Sequence, residues 1–184
     1  MFQSLEGKLL LAMPGMKDAR FVRSVIYMCS HTKEGAMGIA INKPTENLNF
    51  SQFLKQLNIK TKPAREIQIH SGGPVESGRG FVLHSSDYVQ DSTMKISDTI
   101  HLSATVDILK LLAADTGPKN YLVALGYAGW GEGQMEKEMA QNSWLSVEAD
   151  EAVIFDSPIE EKWAQAMAGV GIDAARLSGD AGHA

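Results

Sequence analysis

The sequence predicts a domain of the α+β class, with strands and helices in irregular order. Two consecutive segments near the N terminus are rich in Val, Ile and Met, and the short turn between them favours an antiparallel hairpin. Other segments carry apolar residues at the three-and-four spacing of an amphipathic helix. A doubly wound parallel sheet would need strands and helices in strict alternation, which this chain does not show.

Eight segments are predicted as strands from their β-branched and aromatic content and from the turn residues that bound them. The second and third form the hairpin, with Lys33, Glu34 and Gly35 as its turn. In chain order, the predicted strands are residues 8–13, 24–31, 36–42, 67–70, 80–84, 99–102, 121–127 and 152–155.

Four helices are predicted in addition. The first three cover residues 47–57, 104–114 and 132–142. Asn49 or Ser51 is expected to cap the first, and Ser103 the second, because these short polar side chains accept hydrogen bonds from the first turn of a helix.

The last helix is predicted after Ser157-Pro158-Ile159-Glu160, the pattern of a capping box with proline at the first helical position. Its packing stripe is expected to consist of Trp163, Ala166, Met167 and Val170. No repeat or linker divides the chain, so we expect one domain over residues 1–184, with a tail from about 177 to 184 that frays.

The composition is that of an ordinary globular protein. Of 184 residues, 44% are hydrophobic and 21% charged, which is enough for one good core. The longest early apolar run, residues 9–13, is shorter than the core of a signal peptide, so we expect a cytoplasmic protein without a membrane segment. Cys29 is the only cysteine, which excludes an intrachain disulfide and a thiolate metal cluster.

The charge pattern argues against direct DNA binding. The net charge is −5, and no basic recognition helix or helix-turn-helix pattern is evident. Lysines and arginines nevertheless outnumber acidic residues by eleven to eight in residues 1–92. The lysines from Lys43 to Lys62, together with Arg65, keep a nucleic-acid-associated regulator as a further alternative.

The strong catalytic motifs are absent from the sequence: it has no phosphate loop, nucleophile elbow or paired histidines on a predicted helix. We therefore predict no metal or cofactor.

The glycine corner at 129–133 is a weaker signal, because free backbone N–H groups at such a corner can bind an anion. The alternative is a tight turn with Trp130 packed inside. Cys29 and His31, two apart on one strand, are either a thiolate and its base or a buried cysteine beside a histidine.

Several longer motifs make the chain similar to the YqgE/AlgH family of bacterial proteins. The resemblance runs through residues 13–14, 23–27, 35–44, 72–75, 79–85, 125–131, 134–136 and 142–145. It implies an α+β fold in which a bifurcated, largely antiparallel sheet is curled into a pseudo-barrel with flanking helices. It implies no defined activity, since the family is mostly uncharacterised and only some members carry a transcriptional-regulator label.

The leading hypothesis is an accessory or regulatory domain that binds a small anionic ligand or a protein partner in a cleft near the glycine corners and strand ends. The expected contacts are the cations Arg23, Lys43 and Arg79, the polar side chains Asn42 and His84, the backbone of Gly72 and Gly73, and the ring of Trp130.

The alternative is a small enzyme, a hydrolase or transferase in which a histidine acts as the base. Its candidate residues are His31 and His84 as bases, with Cys29, Ser24 or Glu136 beside them.

Overall fold

The computed structural model describes residues 1–173, and the predicted tail at 177–184 lies outside them. The described strands are β1 (Lys8–Ala12), β2 (Val25–Thr32), β3 (Gly35–Ala40), β4 (Ile69–Ser71), β5 (Val75–Ser85), β6 (Met94–Lys95), β7 (Ile100–Ser103), β8 (Tyr121–Trp130) and β9 (Trp144–Glu148). The described α-helices are α1 (Phe50–Gln56), α2 (Val106–Ala113), α3 (Gln134–Ala140) and α4 (Lys162–Ala168).

The sheet is branched at β8. Its strand order is β6-β7-β5-β8-β3-β2-β1-β9, and β4 pairs with β8 as well. The first half of β8 pairs with β5 and, in parallel, with β4, whereas its last residues pair with β3. The other pairs are antiparallel, and the sheet curls into a half-barrel with flanking helices, so the predicted fold class is confirmed.

Glycines allow the close approach of backbones at the branch point. Gly126 lies where β8 changes partners and has a φ of 73°, a left-handed conformation that favours glycine. Gly72 donates from its N–H to Leu125 O at 2.7 Å and accepts from Ala40 N at 2.9 Å. A Cβ on Gly72 would lie 2.2 Å from Gly126 O, so only glycine fits against β8 here.

Local sequence signals explain two of the elements directly. The hairpin of β2 and β3 forms in the predicted place, with Thr32 opposite Gly35 across the turn. Helix α1 begins with a capping box in which Asn49 Oδ1 accepts from Gln52 N at 2.8 Å and Gln52 Oε1 accepts from Asn49 N at 2.9 Å. The buried side chains of α1 include Phe50 and Phe53.

Three apolar clusters stabilise the two faces of the branched sheet. The first contains Tyr27 and Trp163 and lies beneath α4; the second contains Phe53 and Leu109 and lies beneath α1 and α2. The third lies beneath α3, where Trp130 and Trp144 pack with their ring centroids 6.0 Å apart.

The segment before α4 differs from its prediction. Residues 152–155 were expected as a strand, but Ala152–Asp156 is a π-helix whose first N–H donates to Asp150 Oδ1 at 2.9 Å. A run of four apolar residues fits a strand and a helix equally well, so periodicity did not distinguish them. Strand β9, which no signal predicted, pairs instead with β1 along the edge of the sheet.

The capping box predicted at Ser157 does not form. Ser157 Oγ donates to Ala152 O at 3.2 Å, and a 3₁₀ turn at Ile159–Glu161 precedes α4. The predicted packing stripe is confirmed for Trp163, Ala166 and Met167, which are buried on α4. It is wrong for Val170, which lies beyond the helix and is 48% exposed.

The branch point gives a direct test of the fold. Gly72→Ala should lower the free energy of unfolding by at least about 3 kcal/mol, because the added methyl group meets the backbone of β8 and not a side chain that can move. Chemical denaturation measures the change.

Gly78→Ala is the matched control, because no atom lies within 4 Å of the position of its Cβ. Both substitutions restrict the unfolded chain in the same way, so the difference between them reports the native clash. Equal stability of the two variants would contradict the close approach.

Candidate functional site

The structure brings two of the predicted ligand contacts, Asn42 and Lys43, to the backbone of the segment that contains a third, Arg23. Asn42 donates from Nδ2 to Arg23 O at 2.8 Å and accepts at Oδ1 from Val25 N at 2.9 Å. Lys43 donates from Nζ to Val22 O at 2.7 Å, and partial burial lowers the pKa of this amine. Asn42 and Lys43 thus hold the turn before β2 in place.

The two predicted arginine contacts have separate surroundings. The Arg23 guanidinium lies 4.3 Å from the centroid of the Trp163 ring, beside a crevice of about 70 Å³. Arg79 lies 3.6 Å from Glu76 Oε1 and 5.2 Å from the centroid of the Phe81 ring. Both arginines therefore have partners that explain their positions without a ligand.

Gly72, Gly73 and Trp130, which were predicted as ligand contacts, have packing roles. A Cβ on Gly73, whose φ is 155°, would lie 2.1 Å from Tyr127 C, so this residue packs against β8 as Gly72 does. Trp130 is 6% exposed and stacks on Phe21 with the ring centroids 6.5 Å apart.

Cys29 and His31 have different partners. A register shift in β2 lies between Met28 and Ser30, and Cys29 is buried in the first apolar cluster, where burial raises the pKa of its thiol. His31 Nδ1 accepts from Leu5 N at 2.9 Å, so the ring carries its proton on Nε2 and donates it to Glu136 Oε1 at 2.8 Å. The histidine links the N-terminal segment to α3.

The pKa of Glu136 is lowered, mainly by its own backbone N–H in the first turn of α3 and further by the bond from His31. This carboxylate is thereby stabilised in its charged form as the acceptor for His31.

His84 lies in a buried chain of hydroxyl groups. Its Nδ1 donates to Ser85 O at 2.8 Å, so its Nε2 accepts from Ser103 Oγ, also at 2.8 Å. Ser103 Oγ lies 2.9 Å from Thr93 Oγ1 in turn. Burial lowers the pKa of His84, and His84 and Ser103 are 0% and 2% exposed. The pair has the bond of a nucleophile and its base. Neither residue lines the open cleft of about 720 Å³ beside β4.

Another pair of titratable residues lies in an open cleft. His70 belongs to β4 and donates from Nδ1 to Val123 O of β8 at 3.0 Å. Lys162 is the first residue of α4 and donates from Nζ to Ile154 O, inside the π-helix. His70 is 6% exposed and Lys162 only 2%.

The cleft has a volume of about 720 Å³ and is lined by β4, the start of β8, the π-helix and the first residue of α4. Its walls include Leu122, Val123 and Phe155. The charged residues along it are Arg65, Glu66, Lys119, Asp156, Glu160 and Lys162.

Burial shifts the pKa of both buried groups downward. It lowers the pKa of Lys162 from 10.5 to about 8, against the opposing charge of Asp156. It lowers the pKa of His70 from 6.5 to about 4, and the charge of Lys162 adds to this effect. His70 is therefore neutral at pH 7, and about a tenth of the Lys162 amine is neutral as well. Shifted pKa values inside a cleft are typical of functional sites.

Some charges along the cleft already have partners. Glu66 Oε1 accepts from Phe50 N at 2.7 Å, at the N terminus of α1. Arg65 contacts Asp115 and Tyr121 Oη, each at 3.1 Å, and its side chain is still 62% exposed. The carboxylate of Glu66 is thus occupied, while the guanidinium of Arg65 keeps free donors.

Comparison with known proteins places this fold in a family. The family model described as AlgH-like, DUF179, matches residues 9–175. The chain belongs to the AlgH-like family. The resemblance seen in the sequence is therefore confirmed.

The similar proteins are uncharacterised. The chain is 50% identical to a UPF0301 protein of Rhodopseudomonas palustris, covering 98% of this chain and 87% of the relative. It is 43% identical to the AlgH protein of Pseudomonas aeruginosa, whose solution structure has a TM-score of 0.82 over 100% of both chains. A Corynebacterium diphtheriae protein at 16% identity and a TM-score of 0.69, covering 90% of this chain and 87% of that one, shares the fold alone.

Two negative findings hold for residues 1–173. No helix there is both long and apolar enough to cross a membrane. No three histidine, cysteine or carboxylate side chains in that part of the chain are grouped as a metal site requires.

Sequence reasoning missed His70 and Lys162. One signal was present: Lys162 is a cation in the first turn of a helix, where the helix dipole disfavours positive charge. His70 gave no such signal, because its neighbour across the sheet is distant in sequence.

The lowered pKa of His70 predicts acid sensitivity. Between pH 6.5 and 4 the unfolded chain binds a proton that the folded ring refuses, so stability falls as the pH falls through this window. At pH 5 the loss relative to pH 7.5 should be about 2 kcal/mol.

In His70→Asn, whose amide can still donate to Val123 O, this part of the loss should disappear. Urea denaturation at the two pH values measures it in both proteins. The same pH dependence in both would contradict the assignment.

The burial of Cys29 predicts an unreactive thiol. Iodoacetamide should alkylate the folded protein at least about 100-fold more slowly than the chain in guanidinium chloride, because the thiolate is disfavoured and enclosed. Since Cys29 is the only cysteine, the mass of the intact protein reports its labelling directly. Equal rates in both states would restore Cys29 as a candidate nucleophile.

Proposed function

We propose that this member of the AlgH-like family is an accessory or regulatory domain that binds a small anionic ligand in the cleft of His70 and Lys162. The observation that carries the proposal is a buried lysine, Lys162, that is 2% exposed and belongs to the lining of an open cleft. The cleft volume of about 720 Å³ is in the range of sites for small molecules.

The charges favour an anion. A buried ammonium group is costly unless a negative charge balances it, and the protein supplies only a carbonyl, Ile154 O, as its hydrogen-bond acceptor in residues 1–173. Asp156 acts on Lys162 through space but is exposed to solvent. A carboxylate or phosphate in the cleft would provide the missing charge.

Two further groups suit the same ligand. The planar guanidinium of Arg65 can bind a carboxylate or phosphate with two parallel hydrogen bonds. His70 uses its Nδ1 proton for Val123 O, so its Nε2 can accept a hydrogen bond from a hydroxyl group. An anion with a neighbouring hydroxyl group would use all three side chains.

The other functions predicted from the sequence have weaker support. An enzyme built on His84 would need a substrate to reach Ser103, and neither of these residues lines the cleft of His70 and Lys162. For nucleic-acid binding, Lys55, Lys60 and Lys62 surround a groove of about 530 Å³ beside α1, on a chain whose net charge is negative.

Thermal unfolding in the presence of lactate, citrate, glycerol 3-phosphate and AMP tests the proposal. A ligand at 100 times its Kd should raise the Tm by about 5 °C or more, because it binds only the folded state. Lys162→Met should abolish the shift, since it removes the buried charge while keeping a side chain of similar length. Arg65→Gln should reduce it.

Lys55→Gln is the control, because Lys55 belongs to the separate groove beside α1. It should retain the full shift. No shift with any of these anions, or a shift that Lys162→Met leaves unchanged, would overturn the proposal.

A further inference from the structure

We infer that Lys162 is a nucleophile, and that the anionic ligand of its cleft carries an aldehyde or ketone with which the amine forms an imine. The inference rests on the proposed function, because it concerns the same cleft and the same class of ligand. It adds a covalent step and a substrate class.

The geometry suits an amine that reacts in its neutral form. One N–H of Lys162 donates to Ile154 O, a carbonyl oxygen of the π-helix, and this bond holds the end of the side chain in place. A neutral amine would keep that bond, have one more N–H, and present its lone pair elsewhere. The imidazole of His70, which lines the same cleft, is neutral and therefore adds no second positive charge.

The surroundings of Lys162 make its amine neutral more often than the amines of the exposed lysines. With a pKa of about 8, about a fifth of the Lys162 side chains are uncharged near pH 7.4, roughly 200 times the fraction for an ordinary lysine. Desolvated lysines of this kind are the ones that form Schiff bases with carbonyl compounds.

The step is balanced without an oxidant or reductant. The Lys162 nitrogen attacks the carbonyl carbon, a C–N bond forms, and the π electron pair moves to the oxygen. A proton passes from nitrogen to that oxygen and gives a carbinolamine. The C–O bond then breaks, the remaining N–H proton passes to the departing hydroxyl group, water leaves, and the imine remains. His70 Nε2 can accept a hydrogen bond from the carbinolamine hydroxyl.

Reductive trapping tests this step. The protein is incubated with glyceraldehyde 3-phosphate or pyruvate, reduced with sodium cyanoborohydride, and analysed by intact mass and peptide mapping. We expect one adduct, on Lys162, formed at least about ten-fold faster than on any other lysine. Glyceraldehyde 3-phosphate carries a phosphate and pyruvate a carboxylate, so the probe that is trapped shows which anionic group the cleft prefers.

Two variants test whether Lys162, and not another lysine of the cleft, forms the adduct. Lys162→Met should lose the adduct. Lys119→Met, which removes an exposed lysine of the same cleft, should retain it. If Lys162→Met unfolds, the peptide map of the wild-type protein still decides the matter, and labelling spread evenly over the lysines overturns the inference.

Glycerol 3-phosphate and lactate, which lack the carbonyl, separate the inference from the proposed function. If they bind with dependence on Lys162 but neither carbonyl probe is trapped there, the inference fails and the proposed function stands. If a carbonyl probe is trapped on Lys162 but neither non-carbonyl anion binds, the anion site of the proposed function fails and the nucleophile stands.

Discussion

The arrangement of this molecule depends on how β8 changes partners at Gly126. Up to Leu125 the strand pairs with β4 and β5, Tyr127 still pairs with Val75 of β5, and from Ala128 onward the strand pairs with β3. Gly72 connects the two branches, since its N–H bonds to β8 and its carbonyl accepts from Ala40 at the end of β3. The backbones approach so closely that a side chain at Gly72 or Gly73 would overlap β8. Gly72 and Gly73, whose backbone was predicted to contact a ligand, thus form the joint of the sheet.

The candidate cleft is a consequence of this joint. Because β4 is held parallel to β8, His70 lies beside Val123 and can donate to its carbonyl oxygen. The π-helix and α4 pack on the same sheet through the first apolar cluster, which includes Ile154 and Trp163. Two segments far apart in the chain, β4 and the start of α4, therefore meet at one cleft.

Local patterns predicted most of the elements and little of the site. The β2–β3 hairpin and the capping box at Asn49 were visible because their signals lie within a few residues of each other. Strand β9 was missed because its partner, β1, lies at the opposite end of the chain. His70 and Lys162 were missed for the same reason, since no local pattern shows that the chain brings them together. Asn42 and Lys43 were predicted as ligand contacts because they are polar residues at a strand end. Their bonds to nearby backbone explain why such residues occur there.

The burial of Lys162 couples the stability of the fold to the protonation of one amine, and would couple it to the proposed ligand as well. The lowered pKa means that the folded state binds a proton on this amine less readily than the unfolded chain does, so the charge lowers stability most below pH 8 and no longer does so above pH 10.5. A hydrophobic residue at the start of α4 would avoid this cost, since Trp163 and Met167 already anchor the helix. An anion beside the amine would remove the same cost by favouring its charged form. The feature that destabilises the free protein would therefore be the one from which the proposed anion gains affinity.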